Sequence, residues 1–383
     1  MVMKKVLENL EPGGPPSESP RYLALKADLR DQILRGRIAQ GSQIPPEHEL
    51  CRRYGISRNT VQRAVRDLVR EGLVTRHRGR GSFVRFRRSD HQQTLVGVLW
   101  PRHSGRPGAY EEVLHGVERA AEEAGFHLTT ADTRNDPVRS IELAKHFNES
   151  KTVGALFIPT QGLDCDQVNR EVIRTLRDAG QQVVLIDTDL DGGESLSSVV
   201  SRNFEGSYAV TRHLIGLGYR RIAHLRGPHN STTEERLAGF AAAVREAGLA
   251  IRPEYTLMVA ARDVDEQGVQ EVDVFKAMAE PPEAVVCIHD LIALNVLRRC
   301  AERGIRVPED LAVVGFDDLH QARVCSPPLT TVRQQLFTMG KRAMEILVQR
   351  IRGETPGPVK ERLACELVVR RSCGAYINQQ VQT

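Results

Sequence analysis

The run of residues 57–63, Ser-Arg-Asn-Thr-Val-Gln-Arg, carries the side chains best suited to chemistry in this sequence. Its hydrogen-bonding members are Ser57, Arg58, Asn59, Thr60, Gln62 and Arg63. Arginine and amide side chains pair with base edges through two hydrogen bonds, and hydroxyls bind phosphates. The run therefore predicts a surface that reads double-stranded DNA.

The elements around this run form a helix-turn-helix pattern. A short helix over Glu47–Tyr54 ends at Gly55, since glycine tolerates the left-handed geometry that follows a helix. Ser57 suits the N-cap of a second helix, which runs to about Glu71. The apolar positions of that helix recur at i, i+3, i+4 and i+7, and they are Val61, Ala64, Val65 and Leu68. This stripe is predicted to face the core, which turns the polar residues outward.

A preceding helix and a following hairpin complete this region. The preceding helix is predicted over Tyr22–Gly36, and short strands are predicted over Leu73–Arg76 and Ser82–Phe86. The basic turn between the strands contains Arg78, Gly79 and Arg80. A basic hairpin beside a recognition helix is a wing that contacts phosphates or the minor groove. We assign residues 21–86 to a winged helix-turn-helix domain.

The charge distribution agrees with DNA binding. Seventeen Lys/Arg and seven Asp/Glu lie between Arg21 and Asp90, a net charge of +10. The whole chain carries +4 and residues 1–20 carry −1, so residues 91–383 carry −5. A basic head on a mildly acidic body is typical of a polyanion-binding module attached to a second domain.

Composition sets further limits. Residues 1–20 are predicted to be a disordered extension, and the polar, basic residues 87–94 a linker. The seven cysteines contain no C-x-x-C pair, which favours reduced cytoplasmic thiols over disulfides or a metal site. No apolar run reaches the roughly 18 residues that a membrane span needs.

This region resembles the GntR family of winged helix-turn-helix regulators. The resemblance rests on Gly41, Ile44-Pro45, Glu49-Leu50, Gly55-Ile56-Ser57-Arg58, Thr60-Val61, Glu71-Gly72-Leu73-Val74, Arg76 and Gly79-x-Gly81-Ser82-Phe83-Val84. It implies that residues 57–60 lie against bases and phosphates and that Gly79 lies at the wing tip. The family often has arginine where this chain has His48 and Gln62. Since glutamine suits adenine and arginine suits guanine, we expect an operator that differs from the commonest one.

From residue 95 the pattern changes to strands that alternate with helices. Two successive runs of βαβ units predict an α/β fold with two doubly wound parallel lobes. We assign residues 95–373 to this body, with crossovers near 199–203 and 316–334, and residues 374–383 to a tail. Ligands of such sheets bind beyond the carboxyl ends of the strands. The site is therefore expected in the cleft between the lobes.

The body resembles the LacI/GalR effector domain, itself similar to periplasmic binding proteins. The resemblance rests on His213-Leu214-Ile215, Gly218-Tyr219-Arg220-Arg221-Ile222-Ala223, Arg236-Leu237-Ala238-Gly239-Phe240, Asp290-x-x-Ala293-Leu294, Val307-Pro308-Glu309-Asp310, Val313-Val314-Gly315-Phe316-Asp317-Asp318 and 327–334. It implies that Arg236 and Asp317 hydrogen-bond the effector. The other expected effector-binding residues are Trp100 (or a core residue), His289 and Gln334.

Together, a GntR-type head and a LacI-type body resemble the arabinose repressor type of regulator. That resemblance implies a homodimer on a palindromic operator, released by a sugar or sugar derivative, without cofactor or metal. Arg202, where the family often has aspartate, and His289 suggest a cationic cleft. They raise the hypothesis of an acidic effector, such as a sugar acid.

Two alternatives remain open at this point. Some GntR heads are fused to a pyridoxal-phosphate aminotransferase-like body, which needs a Schiff-base lysine in a phosphate-binding setting. The candidates Lys276, Lys341 and Lys360 lack that setting, and no Ser-His-Asp or carboxylate-pair spacing indicates an enzyme. In the second alternative the body only dimerises and binds no ligand.

Overall fold

The computed structural model describes residues 20–34, 37–39, 41–70, 73–77, 81–84, 94–101, 108–162, 165–190, 196–259, 265–355 and 357–376. The chain divides into two compact units, residues 1–93 and 94–383. The predicted extension 1–20 and linker 87–94 lie outside the described residues, except for the last residue of each. Within the described part, no helix combines the length and apolar character needed to cross a bilayer.

The first unit contains three helices and an antiparallel hairpin. Its elements are α1 (Pro20–Leu34), α2 (Glu47–Tyr54), α3 (Arg58–Arg70), β1 (Val74–His77) and β2 (Gly81–Val84). Gly55 ends α2 in the left-handed region, with φ 61°, as its position predicted. The strands pair from Val74 opposite Val84 to His77 opposite Gly81. The predicted helix-turn-helix and hairpin are therefore confirmed, and the predicted ends at Gly36, Glu71 and Phe86 lie outside the described residues.

The apolar stripes of α1 and α3 form the core of this unit. Its buried side chains are Tyr22, Leu25, Leu29, Ile33, Ile44, Leu50, Val61, Ala64, Val65, Leu68, Leu73, Val74 and Val84. All four predicted stripe residues of α3 belong to this set. Because one face of α3 is buried, its polar face is turned to solvent.

The second unit begins with a six-stranded, fully parallel sheet in the order β13-β7-β6-β5-β3-β4. The strands are β3 (Leu95–Trp100), β4 (His127–Asp132), β5 (Gly154–Phe157), β6 (Gln182–Ile186), β7 (Ser197–Ser201) and β13 (Lys360–Leu363). Its helices are α4 (Ala109–Ala124), α5 (Pro137–Glu149), α6 (Cys165–Asp178) and α12 (Leu336–Arg352). We call this sheet and its helices the first lobe.

The second lobe contains another six-stranded sheet, in the order β14-β12-β11-β10-β8-β9. Its strands are β8 (Ile222–Arg226), β9 (Thr256–Met258), β10 (Ala284–Cys287), β11 (Ala312–Asp317), β12 (Thr330–Arg333) and β14 (Glu366–Val368). Its helices are α7 (Asn203–Gly216), α8 (Ser231–Glu246), α9 (Val269–Ala277), α10 (Asp290–Glu302) and α11 (His320–Val324), with a 3₁₀ turn over Pro253–Tyr255. Only β14 is antiparallel to its neighbour.

The C-terminal part of the chain adds elements that the sequence analysis did not assign. After β12 the chain returns to the first lobe as α12 and β13, and it then crosses again to form β14. The lobes are thus joined by three crossings, after β7, β12 and β13. The strands β13 and β14 have four and three residues, of which only Leu363 is buried, so they lack the apolar run that identifies a buried parallel strand.

Helices α4 and α12 cross at two glycines. A Cβ atom on Gly340 would lie 1.8 Å from the carbonyl oxygen of Val113, and one on Gly116 would lie 2.0 Å from that of Phe337. Both obstacles are backbone atoms, which cannot rotate away as a side chain can. The close approach of these helices therefore requires glycine at both positions.

Substitution of Gly340 by alanine should separate α4 from α12 and destabilise the first lobe. Overpacking typically costs about 1–3 kcal/mol, and a backbone obstacle places this change at the upper end. Thermal unfolding measures the effect. The control is Gly216→Ala in α7, where nothing lies within 4 Å of the added Cβ; it should be neutral or slightly stabilising. Equal melting temperatures for Gly340→Ala and wild type would contradict the packing argument.

Candidate functional site

The start of α3 presents the side chains that the sequence predicted for DNA. The hydroxyl of Ser57 accepts a hydrogen bond from the amide of Thr60 at 3.3 Å, which makes Ser57 the N-cap. Ser57, Arg58, Asn59 and Arg63 are exposed, whereas Thr60 and Gln62 are half-buried. The first two turns of α3 therefore form one polar surface.

A carboxylate from α2 lies within this surface. Glu47 Oε2 accepts hydrogen bonds from Arg58 Nε at 2.9 Å and from Gln62 Nε2 at 3.0 Å. Its other oxygen accepts from Arg76 Nη2 of β1 at 2.7 Å. Burial alone would raise the pKa of Glu47, but the hydrogen bonds from Gln62 and Arg58 outweigh it and lower the pKa. The sequence analysis missed Glu47, whose only signal was an acid inside a basic surface.

The remaining predicted DNA-binding residues are less constrained. His48 follows Glu47 on α2 and is exposed. The guanidinium of Arg63 lies 5.2 Å from the centre of the Tyr22 ring, which holds it against α1. Arg78, Gly79 and Arg80 lie outside the described residues, so their roles stay predictions.

In the second unit, Arg236 occupies the centre of the predicted cleft. It is 5% exposed. Its Nε donates to Asn203 Oδ1 at 2.9 Å and its Nη1 to the carbonyl of Ile288 at 2.6 Å. The guanidinium carbon lies 3.7 Å from the centre of the Phe316 ring. Arg236 is therefore fixed by the start of α7, the end of β10 and the end of β11.

Two of the residues predicted to bind the effector lie directly beside Arg236. Asp317 Oδ1 is 3.8 Å from Arg236 Nη1 and accepts a hydrogen bond from Gln334 Nε2 at 2.7 Å. Burial raises the pKa of Asp317 to about 7, although the charge of Arg236 lowers it. The sequence thus identified three polar residues, Arg236, Asp317 and Gln334, that the fold brings together.

The next residue, Asp318, shows how hydrogen-bonding side chains determine the pKa of a buried carboxylate. Burial would raise the pKa of Asp318, but Arg370 and Arg333 hydrogen-bond it and the net shift is downward. Arg333 Nε lies 2.7 Å and Arg323 Nη2 lies 3.1 Å from Asp318 Oδ2. Within the described ranges, Asp317 has one guanidinium within 4 Å, whereas Asp318 has three. Asp318 therefore anchors the chain beside the second crossing, and Asp317 keeps an incompletely compensated charge.

The first lobe supplies two polar residues that the sequence analysis did not identify. Asp187 follows β6 with φ 63°, and its Oδ2 accepts a hydrogen bond from the Tyr110 hydroxyl at 3.3 Å. Burial raises the pKa of Asp187, and the charge of Arg236 opposes that shift. The pKa of Tyr110 is raised by burial and then by Asp187. Both residues therefore lie close enough to Arg236 for its charge to lower their pKa values.

The two lobes also contact each other directly beside this cleft. The backbone amide of Asp189 donates to the hydroxyl of Ser231 at 2.9 Å. The hydroxyl of Thr232 donates to the carbonyl of Asp187. The loop after β6 therefore meets the N-terminus of α8, the helix that carries Arg236.

The other predicted effector-binding residues have different surroundings. Trp100 is 8% exposed and belongs to the core of the first lobe, which agrees with the alternative of a packing residue. His289 Nδ1 accepts a hydrogen bond from the amide of Ile292 at 3.3 Å and caps α10. Arg202 precedes α7 and is exposed. Among the described residues, no group of His, Cys, Asp and Glu is arranged to hold a metal ion.

Comparison with known proteins gives concordant matches for both units. Residues 21–84 match bacterial regulatory proteins of the gntR family, and residues 211–373 match the periplasmic binding protein-like domain. The chain is 28% identical over 358 residues to the arabinose metabolism transcriptional repressor of Geobacillus stearothermophilus, which covers 92% of this chain and 97% of that protein. It is 31% identical over 270 residues to the HTH-type transcriptional repressor PurR of Photobacterium profundum, covering 69% and 77%. The solved transcriptional regulator CelR–cellobiose complex is similar with a TM-score of 0.67 and 28% identity, over 94% of this chain and 100% of that chain.

The winged helix-turn-helix and the two-lobed body define a DNA-binding transcription regulator. The chain belongs to the bacterial transcriptional repressors that carry a periplasmic binding protein-like body, and its DNA-binding domain belongs to the gntR family. The alternative of an aminotransferase-like body is therefore wrong. The protein is a regulator and not an enzyme.

The raised pKa of Asp317 predicts a stability that depends on pH. The charged form is disfavoured in the folded protein, so the destabilisation is complete above the folded pKa of about 7 and absent below the unfolded value near 3.8. Asp317→Asn should therefore melt at a higher temperature than wild type at pH 8, and the difference should shrink as the pH falls toward 5. Thermal unfolding without ligand measures it. The exposed Glu118→Gln in α4 serves as control, and a constant difference across this range would contradict the prediction.

Proposed function

We propose that this repressor controls genes of carbohydrate metabolism in response to a small, neutral, hydroxyl-rich effector bound between the lobes. The observation that carries the proposal is a pair of buried oxygens beside Arg236. Asp187 Oδ1 and Gln334 Oε1 accept no hydrogen bond from any described residue. Buried acceptors of this kind need a donor from water or a ligand, and the hydroxyls of a sugar supply such donors.

The planar side chains in the cleft also suit such a ligand. A guanidinium offers paired donors and a carboxylate offers paired acceptors, so each can bind two adjacent hydroxyls. Arg236 and Asp317 supply one group of each kind, less than 4 Å apart. The names of two relatives support this class of effector, since one is an arabinose metabolism repressor and another is solved with cellobiose.

The charges of the described cleft residues favour a neutral effector over the acidic one suggested by Arg202 and His289. Asp187 and Asp317 are both buried, and among the described residues Arg236 is the guanidinium whose charge lowers the pKa of each. A carboxylate or phosphate on the ligand would add a like charge next to them. Arg202 is exposed and His289 uses Nδ1 to cap α10, so neither supplies a buried cation to offset that charge.

We further propose that two copies bind a palindromic operator and that the effector releases them. A symmetric dimer presents two α3 helices to two half-sites related by a two-fold axis. The effector can bias DNA binding only through its different affinity for two arrangements of the protein. The contacts of Ser231 and Thr232 with the loop after β6 supply a joint between the lobes on which a bound ligand would act.

Replacement of Arg58 by alanine should weaken binding to a duplex selected from a random library by the full-length protein. Loss of a base contact typically costs about 1–3 kcal/mol, whereas binding to a scrambled duplex should fall little. Fluorescence anisotropy at several salt concentrations measures both. Arg66→Ala removes the same charge from an exposed position of α3 and should affect the two duplexes alike. The base-reading role of Arg58 is refuted if its replacement also affects them alike.

Neutral sugars, tested singly against the protein on its selected duplex, should include one that raises the melting temperature and dissociates the DNA. Arg236→Lys keeps the charge but loses the fork of donors, so it should abolish both responses while the variant stays folded. Arg245→Lys, at an exposed position of the same helix, should respond as wild type.

The matching sugar acids complete the panel, and each other outcome refutes part of the proposal. Responses to acids alone would support the cationic-cleft hypothesis instead. No response to any sugar or acid would favour a body that only dimerises. Light scattering of the full chain tests the dimer separately, and a monomer bound to a single half-site would contradict it.

A further inference from the structure

The Glu47 carboxylate contacts three elements of the first unit at once. It projects from the first residue of α2, and its partners lie on the first two turns of α3 and on β1. A single side chain thereby sets the positions of Arg58, Gln62 and Arg76 relative to one another. A carboxylate on a surface that must approach phosphates is repelled by their negative charge. Its presence there is therefore explained only if it has another role that favours binding.

The side chains of Glu47, Arg58 and Arg76 differ in exposure and form two layers. The side chain of Glu47 is 21% exposed, whereas those of Arg58 and Arg76 are 76% and 49% exposed. The acid therefore lies beneath its cationic partners. Exposed ion pairs contribute little to the stability of a protein, about 0–1 kcal/mol. Stability alone therefore does not explain why a carboxylate lies beneath two arginines. The arrangement instead holds Arg58 at Nε, Gln62 at Nε2 and Arg76 at Nη2.

The atoms used in these contacts are informative. Arg58 reaches Glu47 through Nε, so both terminal nitrogens of its guanidinium remain on the outer side. Gln62 reaches Glu47 through Nε2, which fixes the orientation of an amide that would otherwise be free to flip. The second N–H of that amide and its oxygen then form the donor–acceptor pair that adenine matches. A glutamine without this contact could present either orientation.

We infer that Glu47 is a positioning residue that determines the sequence specificity of this repressor by orienting Arg58 and Gln62 for base readout. The inference rests on the proposed DNA-binding role of α3. Glu47 touches no base in this scheme; it acts through its partners. It raises the ratio of specific to non-specific binding while lowering the overall attraction to phosphates.

The test is Glu47→Gln in the full-length protein, which keeps the shape and removes the charge. Loss of negative charge alone would tighten binding to any duplex. If Glu47 positions the reading residues, binding to the selected duplex falls by about tenfold or more, and binding to a scrambled duplex stays equal or tightens. The matched control is Glu49→Gln, which removes the same charge from an exposed position of α2. It should leave the specificity ratio at the wild-type value.

A double-mutant cycle identifies the route of the effect. In an Arg58→Ala background, Glu47→Gln should lose the part of its effect that acts through Arg58 and keep the part that acts through Gln62. Repeated selection with Glu47→Gln should also recover a relaxed base preference at the positions that change with Arg58 and Gln62. A purely structural role of Glu47 would alter neither the coupling nor the preference.

Folding is controlled by circular dichroism and by a second variant, Glu47→Asp, whose shorter side chain keeps the charge. If folded Glu47→Gln and Glu47→Asp both retain the wild-type specificity ratio, the inference is overturned. If Arg58→Ala and Gln62→Ala also retain it, the DNA-binding surface itself has been misassigned. The two failures are therefore distinguishable.

Discussion

A guanidinium withdrawn from water loses a hydration that only hydrogen bonds and nearby charge can replace. Arg236 obtains this replacement from residues that are far apart in the sequence: Asn203, Ile288, Phe316 and Asp317. Asn203 adjoins the first crossing between the lobes, and Asp317 accepts a hydrogen bond from Gln334, which adjoins the second. The position of Arg236 therefore depends on the crossings, and the cleft retains its shape only while the ends of β10 and β11 and the start of α7 stay together.

The first unit follows a similar rule with the charges reversed. There a shielded carboxylate, Glu47, holds two more exposed arginines, whereas in the cleft a shielded arginine lies beside buried carboxylates. In both cases a partly buried charge organises flexible polar side chains that would otherwise sample many rotamers. Ordering such side chains before binding reduces the entropy lost when the ligand or the DNA arrives. The proposed function therefore assigns the polar contacts of both sites to recognition.

Sequence periodicity predicted most of this architecture because most helices and the central strands up to residue 315 bury one face or both. The four stripe residues of α3 and the stop at Gly55 are local signals, and the structure agrees with them. Short strands with little buried surface, such as β13, have no periodic apolar pattern. The position of β13 depends instead on the edge strand β7, with which it pairs. Among site residues, Arg236 and Asp317 were found through motifs. Asp187, Tyr110 and Glu47 were missed because their surroundings come from distant segments, which a single sequence does not bring together.

The pKa values of the cleft carboxylates bear on how a ligand could control DNA binding. Asp317 and its neighbour Asp318 are both aspartates and are similarly buried. Burial nevertheless raises the pKa of Asp317, whereas three arginines lower the pKa of Asp318. Full compensation of Asp317 by a second arginine would stabilise the empty protein, but it would also occupy the acceptors that a ligand needs. A carboxylate with too few hydrogen-bond donors instead forms some of its favourable interactions only when a ligand is bound. A ligand that donates hydrogen bonds to Asp317 and to Asp187 contacts both lobes at once. Its binding energy therefore differs between closed and open arrangements of the two lobes. A ligand-controlled switch requires such a difference.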